Sequence, residues 1–308
     1  MVNLRHIHMI RAIVQEGTVT AASKKLFISQ PALSQVIKNV EDELGAPLFE
    51  KDGNRLKLTY AGELYVEYGQ QMLDIDRNLH MRIADMKDDV YGELRLGISV
   101  QRGMQILPEL IPAFTKEYPH VRIRLCEEGS ARLEMMISEG ECDVAFITTT
   151  SKRNNLHYEL IENEHLVLVA AKTTELSKRH QDGATLDITE ARNEKFISMA
   201  TDHSVRAIQD RLFRENGLKP EIILETHNME AAKAITAQSD AVFLVPGVYV
   251  DDEMKNRDRV NIYHIKNSNY ERHFYYCYRD GLYLTQYHKF LLKTVCEQLH
   301  VKLSDRVT

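Results

Sequence analysis

Between Thr18 and Gly45 the chain reads TVTAASKKLFISQPALSQVIKNVEDELG, an order of caps, apolar positions and breakers that few folds accommodate. Thr18 follows a stop at Gly17 and is a good helix N-cap. The helix it opens turns Ala21, Ala22 and Leu26 inward, and the two alanines let a neighbouring helix come close. Phe27 and Ile28 are expected to fill the turn that follows. Ser29 caps the next helix, with Pro31 in its first turn, where a missing N–H costs nothing. Its apolar face is Leu33, Ile37, Val40 and Leu44, and Gly45 ends it. Upstream, Leu4, Ile7, Ile10, Ile13 and Val14 recur at helical spacing, predicting a further amphipathic helix over residues 4 to 16.

The second helix of the pair carries Gln30, Ser34, Gln35 and Lys38 on its other face, near its start. These are short or forked hydrogen-bonding groups with one terminal cation, not the Glu/Lys mixture of a solvated surface helix. Gln can pair two ways with adenine in the major groove, Ser can bond a base edge or a phosphate, and Lys can reach the backbone. A merely polar surface helix is the alternative. After Gly45, PLFEKDGNRLKLT places Leu48, Phe49, Leu56 and Leu58 about a turn at Asp52-Gly53-Asn54. This reads as a hairpin carrying Lys51, Arg55 and Lys57 toward flanking phosphates. Net charge is −6 over the whole chain. Through Gly62, however, eight basic side chains stand against six acidic ones, leaving about +2 on the small module. A weakly basic head on an acidic protein suits specific, dimer-dependent binding better than general polyanion binding.

The run AASKKLFISQPALSQVIKNVEDELGAPLFEKDGNRLKLTYAGE resembles the winged helix-turn-helix of LysR-type transcriptional regulators. It carries the paired alanines, Ile-Ser-Gln-Pro-Ala, the mid-helix Ser34, Glu-x-x-Leu-Gly, Leu-Phe-Glu and Leu-Thr-x-x-Gly of that family's pattern. Lys51 departs from the family's usual Arg, keeping the charge and losing the bidentate fork. The DNA-binding set is therefore Thr18, Ser29, Gln30, Pro31, Ser34, Gln35, Lys38, Lys51 and Arg55.

Residues 60 to 88 contain no proline, and Leu64, Tyr68, Met72, Ile75, Leu79, Ile83 and Met86 form one apolar stripe at spacings of three and four. A long helix so striped must be covered, and a partner chain is the economical cover. The resemblance agrees, since this is the family's dimerising linker. From Gly92 strands and helices alternate, the pattern of an α/β domain with a mostly parallel sheet. Strands are expected at ELRLGIS, VRIRLCEEG, CDVAFIT, LHYELI, HLVLVAA, Phe196–Met199, Glu221–Glu225, Ala241–Pro246, residues 260 to 265 and RHFYYCYR. Helices fall between them around 104 to 117, at ARLEMMISEG, Ser204–Asn216, Asn228–Gln238 and Leu284–Leu299. GELRLGIS, LPELIPAFTKEYP, ISEGECDVAFI and ETHNMEAAKAI…AVFLVP resemble landmarks of the LysR effector domain, which implies two lobes of the periplasmic-binding-protein type. Thr236–Asp240 departs from the glycine-rich turn that relatives commonly carry.

The expected architecture is thus an all-α winged helix-turn-helix domain over 1–62 and a dimerising linker helix over 63–90. A two-lobed α/β periplasmic-binding-protein-like effector domain follows over 91–308, with lobe I about 91–164 and 268–308, and lobe II about 165–267. In open α/β sheets small molecules bind beyond the carboxyl ends of strands. That places Ser99, Gln101 and Arg102 after the first strand, Ser130 after the second, Thr148 after the third, and Thr201 and Ser204 on the facing lobe. Hydroxyls, amides and a guanidinium favour a small anion, a carboxylate above all. Ser130 and Ser204 serve equally well as plain helix N-caps.

Cys126, Cys142, Cys277 and Cys296 show no close pair and no metal spacing, so reduced thiols are expected, with no metal and no cofactor. An enzyme reading lacks G-x-S-x-G, G-x-G-x-x-G or a phosphate-cradling loop, and Asp202-His203-Ser204 are too close along one loop to act as a triad. A C-terminal body that only oligomerises stays open as an alternative. No apolar run spans a bilayer and the N-terminus has no secretory pattern, so a cytoplasmic protein without a membrane partner is expected. The expected partners are double-stranded promoter DNA with a partly palindromic site, a small-molecule effector, and a second copy through the linker helix. The resemblance extends these to a homotetramer and RNA polymerase.

Overall fold

The computed structural model describes residues 3–53, 55–86, 90–201, 203–250, 259–266 and 272–301. It divides into two compact units, residues 1–92 with 281–285, and residues 93–280 with 286–308.

In the first unit the helices are α1 (Leu4–Glu16), α2 (Val19–Leu26) and α3 (Gln30–Leu44), followed by the antiparallel hairpin β1 (Phe49–Asp52) and β2 (Arg55–Leu58) and by α4 (Tyr60–Asp85). Both N-caps read from the residues in this unit, Thr18 and Ser29, are made, and Thr59 adds a third. Thr18 Oγ1 accepts from the Ala21 amide, Ser29 Oγ from Ala32 and Thr59 Oγ1 from Gly62. Ile7, Ile10, Ile13, Ala22, Leu33, Val40 and Leu48 are buried. The hairpin is tied to the helices at two places, since the Leu56 amide donates to the Gly17 carbonyl and Glu41 accepts from the Leu48 amide. Gly69 sits mid-helix, where glycine costs about 1 kcal/mol relative to alanine. A Cβ there would lie 2.7 Å from Ile7 Cγ2, so the residue is what allows α4 to lie against α1.

Two details correct the sequence reading. Phe27 does not fill the turn. It caps α2 at φ 55°, in the left-handed region, and is 94% exposed. Leu44, the last residue of α3 before the left-handed Gly45 cap, is also exposed. On α4 the buried residues are Gly62, Gly69, Leu73 and Met81, whereas Tyr68, Met72, Ile75, Leu79, Ile83 and Met86 of the stripe are exposed. The predicted helix extends to 88, and residues 87–89 lie outside the described residues. The segment 281–285 packs on α4. Asn78 Nδ2 donates to the Gly281 carbonyl at 2.7 Å, Asn78 Oδ1 accepts from the Tyr283 amide, and Tyr283 Oη donates to Asp85.

The second unit holds two mixed sheets. One is ordered β4-β3-β5-β13-β6, from β3 (Gly92–Ile98), β4 (Val121–Glu127), β5 (Val144–Thr149), β6 (Leu156–Glu164) and β13 (Arg272–Arg279). The other is ordered β10-β9-β11-β7-β12-β8, from β7 (Leu166–Ala171), β8 (Thr185–Leu186), β9 (Lys195–Met199), β10 (Glu221–Thr226), β11 (Ala241–Pro246) and β12 (Val260–Ile265). Helices α5 (Val100–Glu117), α6 (Ser130–Ser138) and α10 (Gln286–Gln298) accompany the first sheet; α7 (Glu175–Arg179), α8 (Ser204–Glu215) and α9 (Met229–Thr236) belong to the second. Both sheets are mixed: in the second, three of the five strand pairs are parallel, as expected, with β8 parallel to β12 among them. β3 runs parallel to β5 and β9 parallel to β10 and β11, but β13 is antiparallel to β5 and β6, and β7 to β11 and β12. Between Glu164, last in β6, and Leu166, first in β7, only His165 joins the sheets. The strand expected at residues 260 to 265 to cross back between the lobes is β12 and stays in the second sheet, and residues 267–271, before β13, lie outside the described residues.

Sequence reading also misses α7, the two-residue β8, and the 3-10 turns at Ile188–Ala191 and Gly247–Tyr249, all too short for a periodic signal. Pro108 and Pro112 lie inside α5, which begins at Val100 rather than near residue 104. No helix among the described residues is long and apolar enough to cross a membrane.

Candidate nucleic-acid interface and effector cleft

On α3 the side chains of Gln30, Pro31, Ser34, Gln35 and Lys38 are all turned away from the core, as are Lys51 and Arg55 on the hairpin. Thr18 and Ser29 use one oxygen lone pair for capping and keep a hydroxyl proton to donate. Gln30 Oε1 accepts from Thr20 Oγ1 at 3.3 Å, which ties the start of α3 to α2. Gln35 Nε2 donates to Asn39 Oδ1 at 2.8 Å. Thr20 and Asn39 are thus additions to the face. The i, i+4 spacing of Gln35 and Asn39 was the signal available for the second. Phe27 precedes Gln30, the first residue of this face, by three positions and stands clear of the core.

In the second unit the predicted residues do lie where strands end. Ser99 is the N-cap position of α5 but makes no side-chain cap bond. Ser130 and Ser204 are not caps at all, because Gly129 and His203 hold those positions. Ser130 Oγ instead accepts from the Thr148 amide at 3.1 Å. Thr148 Oγ1 donates to Glu164 Oε1 at 3.3 Å. Arg102, on α5, reaches the same carboxylate, with Nε to Oε1 at 3.1 Å and Nη2 to Oε1 at 2.5 Å, and bonds Glu162 Oε2 at 2.8 Å. Its guanidinium lies 4.0 Å from the centroid of Phe274. Arg272, first in β13 and the register partner of Glu164, places Nη1 3.2 Å from Glu164 Oε2 and Nη2 3.4 Å from Ser204 Oγ.

These contacts give Arg102 a different setting from the one its sequence position suggests. It is 1% exposed and already matched by two carboxylates of its own chain. Burial works against its charge, but Glu164, with Tyr249 and Glu162, outweighs burial and holds the guanidinium above its ordinary pKa. Tyr249, brought in by the 3-10 turn after β11, is buried against Arg272; burial first, then Glu164, raises its phenol. The side chains of Ser99, Gln101 and Thr201 make no hydrogen bond to this network among the described residues, and Thr201 is exposed. Sequence reasoning missed Glu162, Glu164, Tyr249 and Arg272, which carry no motif and converge only through the strand crossing. Beside the crossing a cavity of about 390 Å³ is lined by Glu162, His165, Gly247 and His264 among others.

Among the described residues no group of three His, Cys, Asp or Glu side chains could hold a metal ion. The four cysteines are free thiols. Cys126 and Cys142, well apart in sequence, meet within hydrogen-bonding reach, and burial pushes the Cys142 thiol up.

Comparison with known proteins bears on both units. Residues 4–63 match the family model for bacterial regulatory helix-turn-helix proteins of the lysR family, and residues 87–299 match the LysR substrate binding domain. A probable RuBisCO transcriptional regulator of Thalassiosira pseudonana is 23% identical over 82% of this chain and 83% of that protein. One from Cyanidioschyzon merolae (strain NIES-3377 / 10D) is 28% identical over 75% and 77%. Among solved structures, a full-length OxyR variant from Pseudomonas aeruginosa superposes with a TM-score of 0.70 at 17% identity, covering 97% of this chain and 95% of that one. Full-length BenM gives 0.57 at 23% identity, with 97% of each chain covered. At these identities the structural likeness concerns the fold, while the two family models together span most of the chain. The chain belongs to the LysR family of transcriptional regulators, which are not enzymes, and it pairs the family's DNA-binding helix-turn-helix with its effector-binding domain.

Proposed function

We propose that this regulator binds a partly palindromic promoter site as an oligomer and answers to a small anionic effector held between the lobes of its second unit. The observation that carries the DNA-reading half is the outward polar face of α3, flanked by the exposed cations Lys51 and Arg55 of the hairpin. Gln35 and Asn39, already bonded to each other, offer a pre-oriented pair for a base edge, and Ser34 lies beside them. Oligomerisation is supported by the uncovered stripe of α4. Ile75 is 68% and Leu79 55% exposed on one long helix, and its C-cap Met86 is 85% exposed. Burying a leucine or isoleucine yields about 1.5–3 kcal/mol, so a second copy laid along this stripe would gain several such terms. Two heads on a dimer imply half-sites about one helical turn apart, or a multiple of it.

Domain limits of 1–62, 63–90 and 91–308, with the lobes as read from the sequence, fit this division of labour. A homotetramer, contact with RNA polymerase and a cytoplasmic location are parts of the same proposal. Effector binding between the lobes would act by favouring one degree of lobe closure, which requires differential affinity for the two states. A gel-shift titration of the full chain on the intergenic DNA beside its own gene tests the reading. The expected result is a salt-sensitive, sequence-specific complex containing at least two chains; equal affinity for random DNA would refute it.

A further inference from the structure

The charged cluster at the crossing of the lobes holds two arginines and two glutamates, and the two arginines are not equivalent. Arg102 is satisfied. Its Nε and Nη2 bond Glu164 and Glu162, and Phe274 covers it. Arg272 is equally hidden, at 5% exposed, yet among the described residues its Nε and Nη1 have no hydrogen-bond acceptor. Its approach to Glu164 Oε2 is close enough for an ion pair but lacks the alignment of a hydrogen bond, and Glu164 Oε2 likewise receives none. The bond from Nη2 to Ser204 Oγ is long, at 3.4 Å. A guanidinium presents five N–H donors in a fixed fork that suits a planar two-oxygen acceptor. Arg272 keeps the long bond to Ser204 and the Tyr249 hydroxyl as polar neighbours, but buried donors are ordinarily all matched, so its two unmatched nitrogens beside an unmatched carboxylate oxygen mark a place where another group belongs. Elements of both lobes meet there, with Ser204 at the start of α8 and Tyr249 after β11 from one lobe and Arg272 on β13 from the other.

We propose that Arg272, not Arg102, is the anion-binding cation of the cleft, that Ser204 assists it, and that Glu164 is a resident carboxylate from which the ligand takes Arg272 over. This rests on the reading of the interlobe cleft as the effector site and names the ligand class for it. Two cations against two carboxylates leave the cluster neutral, so a second negative charge on the ligand would face Glu164 and Glu162 without compensation. The ligand class is therefore a monocarboxylate, whose two coplanar oxygens match the fork, rather than a dicarboxylate, phosphate or sulfate. Because the ligand bridges groups from both lobes, its binding favours their approach.

The test is thermal unfolding and calorimetric titration of the full chain with acetate, benzoate, succinate, phosphate and sulfate, against chloride at matched ionic strength. A monocarboxylate raises the wild-type melting temperature, and succinate, phosphate and sulfate at the same concentration do not. Arg272→Gln abolishes the shift, Arg272→Lys keeps a weak response without preference for carboxylates, and Ser204→Ala weakens binding severalfold. Glu164→Gln, a nearly isosteric change, tightens monocarboxylate binding by about tenfold and admits succinate and sulfate. The proposal is overturned if a cooperatively folded Arg272→Gln protein keeps the wild-type response. It is equally overturned if neither the wild type nor Glu164→Gln responds to any of the anions. DNA binding measured on the same samples separates the two readings. A protein that binds DNA specifically but ignores anions contradicts this inference alone, whereas one that fails to bind DNA contradicts the regulatory reading.

Discussion

On the DNA-reading unit Lys38, Lys51 and Arg55 point outward, with solvent or a polyanion as their counterpart. On the effector unit Arg102 and Arg272 are 1% and 5% exposed and face carboxylates of the same chain. The same residue types are thus used in opposite ways. Outward cations add little to folding and much to binding, since each released counterion contributes to affinity for DNA. Inward cations are held by their partners, and removing one partner strands the other charge in a low dielectric. Stability and binding should therefore separate under mutation along this line.

The largest effect should come from Arg102→Met. It leaves the buried Glu164 charge with the Thr148 hydroxyl and the poorly aligned Arg272, and the expected loss is about 3–5 kcal/mol in urea unfolding. Lys51→Ala and Arg55→Ala should each change the same measurement by less than about 0.5 kcal/mol. Equal losses at the buried and exposed sites would break the contrast. Next is the α4 stripe. Ile75→Glu places a charge on the proposed contact, and sedimentation at micromolar concentration should show monomer while the wild type is at least dimeric. A dimeric variant would move the interface elsewhere.

How far the sequence alone foretold each unit follows the same division. The reading head is made of neighbours in sequence. Thr18 and Ser29 cap their helices, and the 3.6-residue repeat sends Gln30, Ser34, Gln35 and Lys38 outward without help from distant residues. The cleft network joins Arg102, Thr148, Glu162, Glu164, Tyr249 and Arg272, and only the first two lie where strand-end reasoning looks. Glu164 and Arg272 meet because β6 and β13 pair antiparallel in one register, a tertiary fact without a local signal. The same limit explains Phe27. Apolar character argued for burial, but the turn needed a left-handed residue, and at φ 55° the ring points to solvent.

On the DNA face the effects are expected to be intermediate. Ser34→Ala and Gln35→Ala should each weaken binding to the specific site by about 1–3 kcal/mol with little change on random DNA. Arg55→Ala should weaken both alike and lower the salt slope by about one. Titrations at several salt concentrations distinguish the two classes. A gain is expected as well. Phe27→Asn relieves the left-handed backbone of a bulky residue, and a rise in unfolding free energy of about 0.5–1 kcal/mol is expected. A loss there would show that the ring is held by packing after all.

Whether the outward face of α3 reads bases is decided by the ratio of affinities for promoter and scrambled DNA, measured by fluorescence anisotropy for the wild type and Gln35→Ala at the same salt. The expected outcome is a large ratio for the wild type and a ratio reduced by about tenfold or more for the variant, with affinity for scrambled DNA unchanged. A wild-type ratio near one, or a variant that loses both affinities equally, would contradict it.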